Sequence, residues 1–438
     1  MTSQLEVVRA SPTSRWSTQF ERPRTWWASR NALTSDGLLY AVSALFAVTL
    51  GYTSSQVAQW HWGFLTVAPY GGAAAVALFL GRFHVRRATL IRLVLLGIVL
   101  VGAVAIPLIL EARWRHQDPN QGYAQPEVSV IERSATYLSQ GKDPYRSYYK
   151  DGRVVDAVRG VPAYESFFPY FPLMGVFGLP SAETHERSDL SDARIVMSLM
   201  TVLASIGALF MLRTSREKKI RVAQVLIALP TGALFLATGG DDMPILALML
   251  LSVAALQRRA TTTAGVSLGV AAAMKLTAWP MAVGALLVAY DQKGRRAWGR
   301  IALWIAGIVA VTVIPFILKA PWAFIVNVFA FPLGLAHVAS PAASDLPGHI
   351  LTTWWPPLGH VLAPVSLLIA GYFGARYLRR HWPLSLSKLL GMLSLFFVLL
   401  MCVASATRIG YVIYPINLAL WAWVVREPSQ VRLEEFAA

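Results

Sequence analysis

Charge is scarce in this chain. Only 14% of its 438 residues are charged, where soluble domains carry about 25%. That deficit argues against an ordinary soluble globule. Cysteine is almost missing, and the single Cys402 lies inside a hydrophobic run. Neither a disulfide framework nor a cysteine-based metal site can be built from it. The N-terminal stretch is polar and lacks the early apolar core of a cleaved signal peptide. The first hydrophobic segment is therefore expected to stay as an anchor. No sustained repeat, low-complexity tract or nucleotide-binding glycine loop is visible.

What abounds is apolar surface. Hydrophobic residues make up 55% of the chain, and the mean hydropathy is +0.51. Apolar runs recur near the length of about 20 residues that crosses a bilayer as a helix. The fold class expected is an all-α polytopic membrane protein with twelve spans, at 37–53, 65–81, 91–110, 193–212, 222–238, 243–257, 262–276, 279–290, 301–318, 359–377, 388–405 and 409–425. The pair 262–276 and 279–290 is short for full spans and reads as two tilted helices or a hairpin.

A net charge of +16 could suggest nucleic-acid binding. The distribution argues otherwise. Of the 39 Lys and Arg, 26 fall in seven alternate segments: the two tails, Arg82–Arg92, Arg213–Arg221, Arg258–Arg259, Lys293–Arg300 and Arg376–Lys388. This is the positive-inside pattern, and it predicts cytoplasmic tails at 1–36 and 426–438. Two extra helices (37–90) precede a membrane domain (91–425), with long outer loops at 111–192 and 319–359. The first loop carries an aromatic, proline-rich stretch, Phe167 to Leu173, expected to dip into the outer leaflet. The second holds Trp322, Phe324, Trp354 and Trp355, suited to the interface, with Asp345 and with His337 and His349, the two histidines being expected to play a solvated interface role over ligation.

Function is expected where ionisable residues collect at membrane ends of helices. Glu127, Asp241, Asp242, Lys275 and Arg408 are far apart in sequence, yet the topology puts all five on the outer side. Arg offers a planar fork for phosphate and Lys a mobile point charge. A carboxylate suits deprotonation of an alcohol. Glu127 opens an amphipathic helical stretch that Gly141 and Pro144 stop, so it is a candidate base or, alternatively, a helix cap. Asp241 and Asp242 are candidate caps of the following helix, candidate ion partners of Lys275 and Arg408, or carboxylates for a divalent metal. Glu132 lies five residues beyond Glu127 and points elsewhere on the helix.

The run from Glu127 to Tyr145, with Arg133, Gly141, Pro144 and Tyr145 in step, resembles the acid-x5-Arg-x7-Gly-x2-Pro-Tyr run of glycosyltransferase family 87. These are membrane enzymes of the GT-C class that take sugars from polyprenyl-phosphate carriers, mannosyltransferases among them. Phe168 to Leu173 resembles the family's Tyr-Pro-Pro-rich segment. Gly240-Asp241-Asp242-Met243-Pro244 and Gly269 to Thr277 resemble its Gly-Asn/Gln turn and its Gly-Leu-Ala-Ala-x-x-Lys-Leu-Thr-Pro motif. The chain departs from the family in using Glu127 where Asp is usual, Asp241-Asp242 where Asn or Gln is usual, and Arg408 where His is frequent.

The resemblance implies a GT-C type fold and transfer of a sugar, mannose by preference, to an acceptor hydroxyl at the outer face of the cell membrane. Glu127 would be the base, with Lys275, Arg408, Asp241, Asp242, Arg133, Tyr170 and Tyr411 binding substrate, and Phe167 to Leu173 cradling the prenyl chain. The partners implied are a lipid-linked sugar donor, a glycolipid or polysaccharide acceptor and membrane lipids, with no nucleic acid, no metal and no cofactor. The alternative is a transporter or flippase of lipid-linked sugars, a class that often shows internal repeats. Labelling of a cysteine placed at Ser147, in a Cys402→Ala background, is expected from the outside only; labelling from the cytoplasmic side alone would overturn the topology.

Overall fold

The computed structural model describes residues 32–83, 85–183, 188–338 and 341–426. Most of the two expected tails thus lies outside the described residues. The protein is an all-α polytopic membrane protein. Seven of its described helices are long and apolar enough to cross a membrane.

The N-terminal helices are α1 (Ala32–Thr53), α2 (Val57–Leu80) and α3 (Ala88–Gln117). The first begins five residues earlier than its apolar run, because its first turns are tied down by a buried charge. Asp36 is fully buried and accepts from Arg92 Nε at 2.6 Å, while Arg221 Nη2 lies 3.0 Å from its other oxygen. Close packing of α1 on α2 depends on small residues: a Cβ on Gly63 would come within 2.6 Å of the Gly51 backbone.

A surface-type helix, α4 (Pro126–Ser139), and a two-stranded hairpin, β1 (Tyr148–Lys150) with β2 (Arg153–Val155), follow in the first large loop. Then come α5 (Ala193–Met211), α6 (Arg216–Thr238) and α7 (Asp242–Gln257). Of the helices named so far, α3 and α6 contain π turns, at 101–105 and 224–228. A π turn disturbs the backbone ladder, and a loose carbonyl is costly in lipid. One helix meets both needs: from α2, Trp62 Nε1 donates to Ala103 O at 2.9 Å and Tyr70 O–H to Ala228 O at 2.6 Å. Helix α2 is therefore tied to both α3 and α6.

Helix α8 (Thr261–Ala272) is only 12 residues long, about 18 Å at 1.5 Å per residue, well short of a hydrocarbon core of about 30 Å. It stops where Lys275 begins a turn. Helix α9 (Trp279–Lys319) covers two expected spans, 279–290 and 301–318, and Gly294 breaks it with φ 78°. The chain continues through α10 (Pro321–Ala330), α11 (Pro347–Trp354), α12 (Gly359–Arg380), α13 (Leu386–Val403) and α14 (Ile413–Val424).

One expectation is overturned. Phe167, Phe168, Tyr170 and Phe171 are buried in the protein rather than presented to lipid. Phe171 N–H donates to Met274 O at 3.0 Å, so the segment lies beneath the Lys275 turn. Its backbone needs partners that lipid cannot supply. It cannot cradle a prenyl chain with those rings.

Basic ends lie together: Arg213 N–H bonds Gln257 at the C-terminus of α7, and Arg258 donates to the last carbonyls of α5. Asp241 and Asp242 stand at the opposite end of α7. Ser147 is buried and donates to Asp156 O at 3.0 Å, so the exposed hairpin residue Lys150 is the better labelling position. Asp36→Asn should strip two cations of their buried partner and cost about 3–5 kcal/mol. Thermal unfolding of the solubilised protein should show a lower midpoint, with exposed Glu217→Gln unchanged; equal midpoints would mean that this cluster holds nothing together.

Candidate active site

Glu127 sits in the first turn of α4, with Gln125 at the N-cap and Pro126 leading the helix. Proline is at home there because its missing N–H would be unpaired anyway. The carboxylate does not cap the helix. Its Oε1 forms a close ion pair with Arg408 Nη1, and its Oε2 is buried with no hydrogen-bond partner. The helix dipole favours an anion at this end, but what holds the side chain is the guanidinium.

Arg408 arrives from a loop pinned by an isolated bridge between Ala343 and Thr407. Thr407 N–H donates to Ala342 O at 2.8 Å, and Ile409 N–H to Ser344 Oγ at 2.9 Å. His349 Nδ1 lies 2.9 Å from Ser405 O, so it serves this loop. Burial opposes the charge of Arg408, and the Glu127 carboxylate outweighs it, so its pKa is raised. The Arg408 side chain remains 33% exposed, which leaves it open to a ligand.

The second charge centre is tighter. Lys275 Nζ lies 2.8 Å from Asp241 Oδ2 and 2.6 Å from Asp242 Oδ1. Neither aspartate caps α7 with its side chain; both turn to the lysine. Tyr414 O–H donates to Asp242 Oδ1 at 2.6 Å, with Thr277 Oγ1 2.6 Å from the same phenol. Lys275 Nζ also faces the rings of Tyr170 at 5.5 Å and Tyr411 at 5.8 Å, within cation–π range. Burial would lower the Lys275 pKa, and the two aspartates overcome it and raise it. A lysine pKa raised on folding adds stability at every pH below its unfolded value of about 10.4, lost as pH rises through the folded value.

Tyr170 links the two centres. Tyr145 O–H holds its carbonyl at 2.7 Å, its ring faces Lys275, and the phenol feels Asp241, Glu127 and Arg408 together. Burial above all raises its pKa. The two cations therefore occupy one region with Glu127, Lys275 paired with both aspartates and Arg408 with the glutamate. Arg133 is only partly in this group: it is half-buried and donates to the Glu165 carbonyl, fastening the 163–166 turn. Glu132 points away, as its helical position predicts, to Arg115 at 2.7 Å. Among the described residues no cluster of three or more His, Cys, Asp or Glu is arranged to hold a metal ion.

Residues 168–406 match glycosyltransferase family 87, just over half of the chain. The chain belongs to that family. No curated protein matches it. The family 87 segment contains Tyr170, Asp241, Asp242 and Lys275; it begins after Glu127 and Arg133 and ends just before Arg408 and Tyr411. A membrane glycosyltransferase therefore has its lysine centre inside the matched segment and its glutamate outside it.

Sequence reasoning passed over Glu165, Tyr414 and Asn327, and also Arg115, Asp192 and Arg194. Asn327 is fully buried and accepts from Phe168 N–H at 2.8 Å while donating to Ser147 O at 2.7 Å. An ionisable residue at the head of an apolar run was the available signal for Arg194. Lys275→Ala should leave two aspartates buried without their counter-charge, at a cost of about 3–5 kcal/mol. Arg408→Ala should cost less, since its pair is more exposed. Thermal midpoints of the two variants decide the order, and a more damaging Arg408→Ala would contradict it.

Proposed function

We propose that this family 87 glycosyltransferase is a GT-C type enzyme that moves a sugar, mannose, from a polyprenyl-phosphate carrier to a hydroxyl of a glycolipid or polysaccharide acceptor. The reaction takes place at the outer face of the cell membrane and inverts the anomeric centre. The observation that carries this reading is the Glu127–Arg408 pair. One carboxylate oxygen is bound by a part-exposed guanidinium, and the other is buried and unpartnered. An acceptor hydroxyl that donates to Oε2 satisfies that orphan oxygen, whose burial is otherwise costly.

In the proposed step the acceptor oxygen bonds to the anomeric carbon as the bond from that carbon to the phosphate oxygen breaks. Glu127 takes the hydroxyl proton, and the polyprenyl phosphate leaves with both electrons and one more negative charge. Arg408 is the cation with a free approach, so it meets the phosphate first. As the phosphate gains charge it competes for the guanidinium, which loosens Arg408 from Glu127 and frees the carboxylate to act as base. Lys275 is saturated by Asp241 and Asp242, so its contribution is its field and the placement of those aspartates for sugar hydroxyls. The positive-inside distribution supports an outward site, and the apolar helices around it support a donor that arrives through the bilayer.

The test is turnover of radiolabelled polyprenyl-phosphate mannose by purified protein with a membrane extract as acceptor source. Glu127→Gln should keep the fold and lower turnover about 10²–10⁴-fold, the range for loss of a general base. Glu127→Asp should keep part of the rate, because the carboxylate only retracts. Asp151→Asn, on the exposed hairpin, is the control expected to match the parent. Near-parental turnover in Glu127→Gln would move the base to Asp241 or Asp242, and no transfer from any such donor would reject the reading.

A further inference from the structure

Two backbone segments carry the acids of the site, and they run against each other just upstream of them. Gln125, two residues before Glu127, donates its N–H to Thr238 O at 2.9 Å and its Nε2–H to Thr238 Oγ1 at 2.8 Å. Gly239, two residues before Asp241, adopts φ 104° and leaves room for Val128: a Cβ there would come within 2.2 Å of Val128 Cγ2. Any side chain at Gly239 would push the base-bearing helix away and strain the backbone as well.

Arg194 closes this junction. It is fully buried at the head of α5. Its Nη1 donates to Tyr123 O at 2.7 Å and to Ala237 O at 3.4 Å, one carbonyl on each segment. The same nitrogen lies 3.3 Å from Glu111 Oε2. Its other face is fixed by Asp192, with Nε to Oδ1 at 2.9 Å and Nη2 to Oδ2 at 2.8 Å, and the Arg194 stem packs on Gly239. Asp192 is held in turn by Arg115 at 2.9 Å, and Arg115 grips Glu132 on the helix that bears Glu127. Guanidinium is the one side chain with enough fixed donors to do this: a two-pronged bond on one edge and backbone carbonyls on the other.

We infer that Arg194 is a positioning residue for the glycosyl transfer, setting the separation between Glu127 and the Asp241–Asp242 pair from a place that touches no substrate. This rests on the transfer reaction proposed above. An error of about 1 Å in placing a base is enough to cost rate without altering affinity for a substrate bound elsewhere. Positioning therefore predicts a fall in kcat at unchanged donor KM, and general loosening of the fold does not.

The experiment compares Arg194→Lys, which keeps the charge but loses the fork, with Gln125→Leu, which cuts the same junction and leaves every charge in place. Asp36→Asn, destabilised at the far end of the helices, controls for stability. Turnover of polyprenyl-phosphate mannose is measured well below each melting temperature. Arg194→Lys should lose at least about tenfold in kcat, and Gln125→Leu severalfold, with donor KM within about twofold of the parent; Asp36→Asn should keep its kcat. If Arg194→Lys does not fold, Gln125→Leu decides alone. Parental kcat in Gln125→Leu, or an equal loss in Asp36→Asn, overturns the positioning role. A parent protein that transfers no sugar fails the reaction itself, which is a distinct result.

Discussion

A charge withdrawn from water beside a bilayer needs its counter-charge within the protein, and the rest of this structure depends on where those pairs form. Solvation lost by an ion is worth several kcal/mol even after relaxation. Here it is recovered at both ends of the bundle. At one end Asp36 binds Arg92 and Arg221 and fastens α1 to α3 and α6. At the other end two groups of ion pairs face each other across α4: Arg194, Arg115, Asp192 and Glu132 behind the helix, and Glu127 with Arg408 at its tip.

The two cations of the site are not equivalent. Lys275 lies between two carboxylates, a phenol network and two aromatic rings, and that environment makes it part of the scaffold. Arg408 has one carboxylate partner and an open side. The contrast gives a physical order to the proposed chemistry: the cation that can exchange its partner is also the one that holds the proposed base, Glu127.

Much of the architecture was legible in the sequence because hydropathy is local. Apolar runs placed most helices to within a few residues, and the basic ends of α5 and α7 lie together. Departures came where long-range contacts decide. Asp36 extended α1 below its apolar run because Arg92 and Arg221 neutralise it. Phe167 to Phe171 read as a lipid-facing stretch by composition, yet Phe171 N–H pairs with Met274 O and Phe168 N–H with Asn327 Oδ1, and the rings are buried. Periodicity on α4 correctly separated Glu127 from Glu132, since a helix fixes which residues share a face.

The sequence by itself determined that this is a membrane protein, led to the expectation that Glu127, Asp241, Asp242, Lys275 and Arg408 share one side, and carried motifs that pointed to glycosyltransferase family 87. It left open whether Glu127, Asp241 and Asp242 cap helices or serve a site, because a cap and a base use the same residue at the same position. Only the tertiary structure decided that none of them caps, that Lys275 takes both aspartates and that Arg408 takes Glu127. The reason is that Coulomb partners are chosen by distance in space. Residues 281 apart in the chain, as Glu127 and Arg408 are, become neighbours only when the fold carries the loop bridged at Ala343 and Thr407 to the head of α4.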